Sequence, residues 1–178
     1  SRLAGMQAQV PKPPFLGLWT RVAGFRPPDL ATALADRVLV RATAMRGTLH
    51  LLRARDYLTF RASLQPMLTA GMESALRTRS EGLDLHQVLP VARALLEERP
   101  MTFDELRTLL SARFPAANDR ALGYAVRTHL PLVMVPTDAA WGFPTNADFT
   151  LADGWLGEPV PDDPDPRPLG RGPVPRRQ

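Results

Sequence analysis

The chain has 178 residues, 44% of them hydrophobic, and carries a net charge of +4, enough length and apolar content for one domain or two small ones. It has no cysteine, only three well-separated histidines (His50, His86 and His129), and no apolar run near the ~18 residues a membrane span needs. These features exclude a disulfide framework and thiolate metal sites and argue against a zinc site or a transmembrane helix. Lys12 is the only lysine, so 21 of the 22 basic residues are Arg. That bias reflects either phosphate recognition, which suits the guanidinium fork, or a coding preference for Arg, Ala and Pro.

The chain opens on "SRLAG", which reads as the end of a helix whose start is missing, with no signal-peptide apolar core. In "GMQAQVPKPP" two uncharged amides, Gln7 and Gln9, flank one small residue. On an extended backbone residues i and i+2 point to one side, so the two amides are expected to converge on one target. Amides do not titrate, so the pair can hold a water or a base edge but cannot serve as a strong acid or base. On spacing alone, solvated loop residues would read the same way.

"PFLGLWTRVAGF" places Phe15, Leu18, Trp19 and Val22 at helical spacing, and "PPDLATALADR" follows as a helix with Asp29 as N-cap. "VLVRATAM" and "TLHLL" read as strands joined across Arg46-Gly47. A helical connector comes next, with Tyr57, Phe60 and Leu64 on one face, expected to run on to a stop at Gly82. Three more helices are readable: "HQVLPVARALLEER"; "TFDELRTLLSARF", with a Thr102/Glu105 capping box; and "NDRALGYAVRTHL", capped by Asn118 or Asp119. In the last, Leu122, Val126 and Leu130 should face the core, leaving Arg120, Tyr124 and Arg127 on a face suited to DNA or simply to solvent. "LVMVP" and "WGF" read as a second hairpin across Thr137–Ala140, and the proline-dense remainder as a linker or tail.

The expected fold is therefore mainly α with short β-hairpins (α+β), as tandem winged-helix domains. Residues 1–53 form the first winged helix, with an incomplete N-terminal helix and the Gln-x-Gln motif. Residues 54–84 form a helical connector, 85–157 the second winged helix, and 158–178 a Pro-rich linker or tail.

Together "RLAGMQAQ", "LWTRVAGF", "LADRVLVRATAMRGTLHLL", "TDAAWGF" and "ADGWLG" resemble the AlkZ-like, or YcaQ-like, winged-helix DNA glycosylase family, from about Leu3 to Leu156. The resemblance implies a curved basic groove and a catalytic Gln-hydrophobic-Gln element, matched by Gln7 and Gln9 with Ala8 between them. It implies a DNA-repair glycosylase that hydrolyses the N-glycosidic bond of alkylated purines, including crosslinked N7-alkylguanine, through a water held by the two glutamines. An N7-alkylated purine already carries positive charge and departs readily, so positioning a water suffices without a tuned carboxylate.

Contacts to duplex DNA are expected from Lys12, Arg46, Thr48, His50, Arg120, Tyr124 and Arg127. His50 either orients one of the glutamines or packs as a satisfied histidine. Trp19 and Trp141 are expected to be core anchors rather than base-stacking wedges. The family also carries an N-terminal helix and a third winged helix, so this chain is read as truncated at both ends. The expected protein is a monofunctional, monomeric, cytoplasmic (nucleoid-associated) enzyme that needs no cofactor or metal, acting on damaged double-stranded DNA. The alternatives are a non-enzymatic winged-helix regulator and an interaction scaffold.

Overall fold

A computed structural model describes residues 5–161, so the readings made for residues 1–4 and for most of the Pro-rich tail lie outside the described residues. The elements run β1 (Met6–Gln7), α1 (Lys12–Trp19), α2 (Pro27–Ala35), β2 (Leu39–Thr43), β3 (Leu49–Arg53), α3 (Ala54–Leu76), α4 (Leu85–Glu98), α5 (Phe103–Arg113), α6 (Asp119–His129), β4 (Leu132–Met134), β5 (Phe149–Leu151) and α7 (Ala152–Leu156). This is the expected α+β winged-helix architecture, helices followed by a hairpin, twice over. The two hairpins share one antiparallel sheet of order β1-β3-β2-β4-β5, joined where Ala42 of β2 pairs with Val133 of β4.

Strand alternation sorts the sheet into two faces. Ala8, Leu51, Leu132, Met134, Phe149 and Leu151 belong to a core that also takes in Phe15 of α1, Leu30 and Leu34 of α2, and the inner faces of α4, α5 and α6. Val40, Ala42, Leu52 and Val133 point the other way, onto Tyr57 of α3 and Ala152 of α7. Leu122, Val126 and Leu130 are buried as their spacing requires. Farther along α3, Met72 and Leu76 pack on Ala121 and Ala125 of α6.

A partly buried polar cluster fastens the same two helices. Arg61 donates from Nη2 to the Thr128 carbonyl at 2.7 Å and from Nη1 to Gln65 Oε1 at 2.7 Å. The Gln65 amide nitrogen in turn lies 2.9 Å from Thr69 Oγ1 and 3.3 Å from His129 Nδ1.

Local chemistry explains where the structure departs from expectation. Asp29 is not the N-cap of α2: Arg26 is, and Asp29 sits at N3, where its carboxylate accepts the Arg26 N–H at 2.8 Å. The connector helix stops at Leu76, where Arg77 turns to φ 40°, and not at Gly82. Gly82 instead makes the turn into α4 at φ 74°, so close to the Ala116 carbonyl that a Cβ there would stand 2.5 Å from its oxygen.

Thr102 caps α5 by accepting the Glu105 N–H at 3.2 Å, but the Glu105 carboxylate pairs with Arg99, so half of the capping box forms. "WGF" is not a strand. Ala140–Gly142 is a 3-10 turn with Trp141 at φ 61°, and the strand partner of β4 begins only at Phe149. Neither Trp19 nor Trp141 is a core anchor: Trp19 is 67% exposed, because α1 ends there and buries Phe15 instead, and Trp141 is 38% exposed in its turn.

Candidate active site and nucleic-acid interface

The Gln7–Gln9 stretch lies at the edge of the sheet, along β3. Gln7 pairs with His50, and the Ala8 N–H donates to the Leu49 carbonyl at 2.7 Å. At Gln9 the side chain carries the ladder on, with Oε1 accepting the Leu49 N–H at 3.1 Å. A backbone N–H can only donate, so the atom facing it must be the amide oxygen. The Gln9 side chain is thereby fixed, with one oxygen lone pair and its NH₂ left for a ligand.

Ala8 is 1% exposed, which explains a small middle residue: its methyl faces the core, while Gln7 and Gln9 on either side are exposed. Gln9 lines a cleft of about 790 Å³ together with Arg41, Phe103, Arg127, Trp141, Phe143 and Asn146. Gln7 is not among its lining residues.

Arg41 carries no signal in the sequence beyond being a charge in an apolar strand. It is 4% exposed, donating from Nε to the Ala8 carbonyl at 2.8 Å and from Nη2 to the Gln9 carbonyl at 3.0 Å. Its guanidinium stacks 4.9 Å from the centre of the Phe143 ring, and burial draws its pKa from 12.5 to about 10, leaving it cationic at neutral pH.

The other residues singled out in sequence distribute around this cleft. Arg127 lies over Phe103, 4.9 Å from the ring centre, and both residues also line the groove between α5 and α6 with Arg120 and Tyr124. The basic face of α6 therefore runs into the cleft that holds Gln9. Lys12 sits at the rim, its Nζ 5.6 Å from the Trp141 ring centre, and Phe15 meets the same ring edge-on at 5.1 Å.

Arg46 and Gly47 form the tip of the β2–β3 hairpin, both left-handed at φ 58° and 69°, with the Arg46 side chain exposed. Thr48 Oγ1 donates to the Met45 carbonyl at 3.2 Å. His50 is 4% exposed, with Nδ1 2.9 Å from the Thr48 carbonyl. A carbonyl only accepts, so Nδ1 is the nitrogen that donates in this contact. His50 lies across the ladder from Gln7, and no hydrogen bond joins it to either glutamine among the described residues.

Among the described residues no group of three or more His, Cys, Asp or Glu could hold a metal ion, and no helix is long and apolar enough to cross a membrane. No curated protein matches the chain at a significant level. Among solved structures, the DNA glycosylase AlkZ of Streptomyces sahachiroi superposes with a TM-score of 0.69 at 26% identity, over 91% of this chain and 45% of that one. This chain thus spans a little under half the length of that glycosylase. The family model described as "DNA glycosylase AlkZ-like" matches residues 1–177, so the chain belongs to the AlkZ-like DNA glycosylase family.

Proposed function

We propose that this chain carries the catalytic strand and part of the DNA groove of a glycosylase that hydrolyses the N-glycosidic bond of alkylated purines, N7-alkylguanine among them. The observation that carries the reading is the continuity of Gln9 with the basic face of α6: Arg127 and Phe103 line both the cleft and the helix groove. A duplex lying on Arg120, Tyr124 and Arg127 would bring its backbone to the glutamine strand. Lys12 at the cleft rim and Arg46 at the hairpin tip extend the contact surface.

In the proposed reaction the C1′–N9 bond breaks with its electron pair going to the base, so the cationic alkylpurine leaves neutral. A water oxygen bonds to C1′, and its surplus proton passes to solvent. The products are a free base and an abasic sugar, and the balance closes with water alone. Gln9, held by Leu49, offers its remaining lone pair to a water O–H, and Gln7 two residues earlier offers a second amide. Oriented dipoles near the developing oxocarbenium favour it without titrating.

The deciding experiment incubates the full-length protein with duplex containing N7-methylguanine and measures abasic sites after alkaline cleavage. Excision above the spontaneous rate, lost in the Gln7→Ala/Gln9→Ala variant with duplex binding retained, is the expected result. Absence of excision together with tight binding to one particular undamaged sequence would identify a regulator instead.

A further inference from the structure

Arg41 is a buried cation with no neutralising carboxylate beside it among the described residues. It makes no ion pair among the described residues. Its Nε and Nη2 are taken by the carbonyls of Ala8 and Gln9, whereas Nη1 has no partner there and is not among the polar atoms sealed from solvent. Among the described residues, the cleft it lines contains a second arginine, Arg127, and no Asp or Glu. A brace for an edge strand does not need a charge. A neutral donor would make the same two bonds without the desolvation cost of a guanidinium. An uncompensated arginine in an acid-free cleft is suited to an anion, and its planar fork suits phosphate.

We propose, building on the reading that this chain engages DNA, that Arg41 binds the backbone phosphate beside the target nucleotide with its free edge while its other edge holds the carbonyls of Ala8 and Gln9. One rigid guanidinium then spans substrate and catalytic strand, so the sugar attached to that phosphate is registered against Gln9. The charge has a second consequence. A bare guanidinium near C1′ opposes the developing oxocarbenium, and a phosphate bound to it removes that opposition. Arg41 is thus a positioning residue whose cation is compatible with catalysis only when the phosphate is seated.

The test is a methylphosphonate scan, in which single linkages around the lesion are made uncharged in an N7-methylguanine duplex, and in a parallel set carrying a stable abasic analogue for binding. With the wild-type protein one linkage next to the lesion should weaken binding about tenfold and also lower the single-turnover rate about tenfold. In Arg41→Gln that linkage should lose its special effect on both, and the slope of log K against log salt should fall by about 0.9. Arg41→Lys keeps the charge but cannot hold both carbonyls, so it should retain the phosphate dependence of binding while excision slows.

If Arg41→Gln does not fold, the ¹⁵Nε signal of Arg41 in the wild-type protein should shift on adding the abasic duplex, and shift less with the neutral linkage. A scan with no privileged linkage, or one unchanged by Arg41→Gln, overturns the proposal. Phosphate dependence without excision by the wild type would leave this site standing and overturn the glycosylase reading instead.

Discussion

Gln9 has two separable jobs in this structure, and replacing it measures both. Its Oε1 accepts the Leu49 N–H at 3.1 Å, a bond that fixes the strand end and that water can partly replace because Gln9 is exposed. Losing such a bond costs about 0.5–1.5 kcal/mol. For a chain of this size that corresponds to a fall in Tm of roughly 1–6 °C at 2–4 °C per kcal/mol. Starting from a stability of about 5–15 kcal/mol, Gln9→Ala therefore remains more than ~99% folded at 25 °C.

Any slowing of excision by tenfold or more must then come from chemistry. Removing one of two water-holding amides should slow the step about 10–1000-fold, equivalent to about 1.4–4 kcal/mol of transition-state stabilisation. Gln7 is the control for the first effect: its side chain is exposed and makes no hydrogen bond among the described residues, so Gln7→Ala should leave Tm within about 2 °C. The assay pairs thermal unfolding with single-turnover excision on an N7-methylguanine duplex for both single variants and the double. Full excision by the double variant, or a rate loss that simply tracks the unfolded fraction, refutes the reasoning.

Four further outcomes follow from the geometry. Arg120→Ala and Arg127→Ala should weaken binding to all duplexes alike and flatten the dependence of log K on log salt by about 0.9 each, as measured by fluorescence anisotropy across salt concentrations. Leu122→Ala removes a side chain that is 0% exposed in the main core and should cost about 2–5 kcal/mol in denaturant unfolding. A Cβ at Gly123 would meet the Arg107 side chain at 3.1 Å, a flexible neighbour with a buried, unpartnered Nε; Gly123→Ala should raise Tm by a few degrees through about 1 kcal/mol of helix propensity. Burial, with Arg61 nearby, holds the His129 pKa below its usual 6.5 against the opposing pull of Glu73. The unfolded chain therefore takes up this proton first, so stability should fall as pH drops through 6.5 toward the folded pKa, and His129→Gln should flatten that loss in pH-dependent unfolding curves.

Local chemistry made much of the framework legible from the sequence alone. Leu122, Val126 and Leu130 recur at the helical period, so their common burial follows from geometry. Arg46-Gly47 is a turn because the paired strands need two left-handed residues there, and Asn118 caps α6 because its side chain can reach the free N–H groups of Arg120 and Ala121. The glutamine pair was visible as a spacing, and its meaning came from resemblance.

What only tertiary structure decided concerns partners distant in sequence. The union of the two hairpins rests on the Ala42–Val133 pairing, which no local pattern encodes. The real partner of β4 is three residues long, too short to show an alternation, so the nearer aromatic run looked like the strand. Trp19 had the spacing of a core residue but not the neighbours, since the helix it ends buries Phe15. Gln9 acquires a fixed orientation only because Leu49 lies beside it, and Arg41 became a candidate only once folding buried most of it with no carboxylate beside it among the described residues. Periodicity and turn chemistry act within a few residues of the chain, whereas burial, charge compensation and the walls of a cleft depend on which distant segments meet.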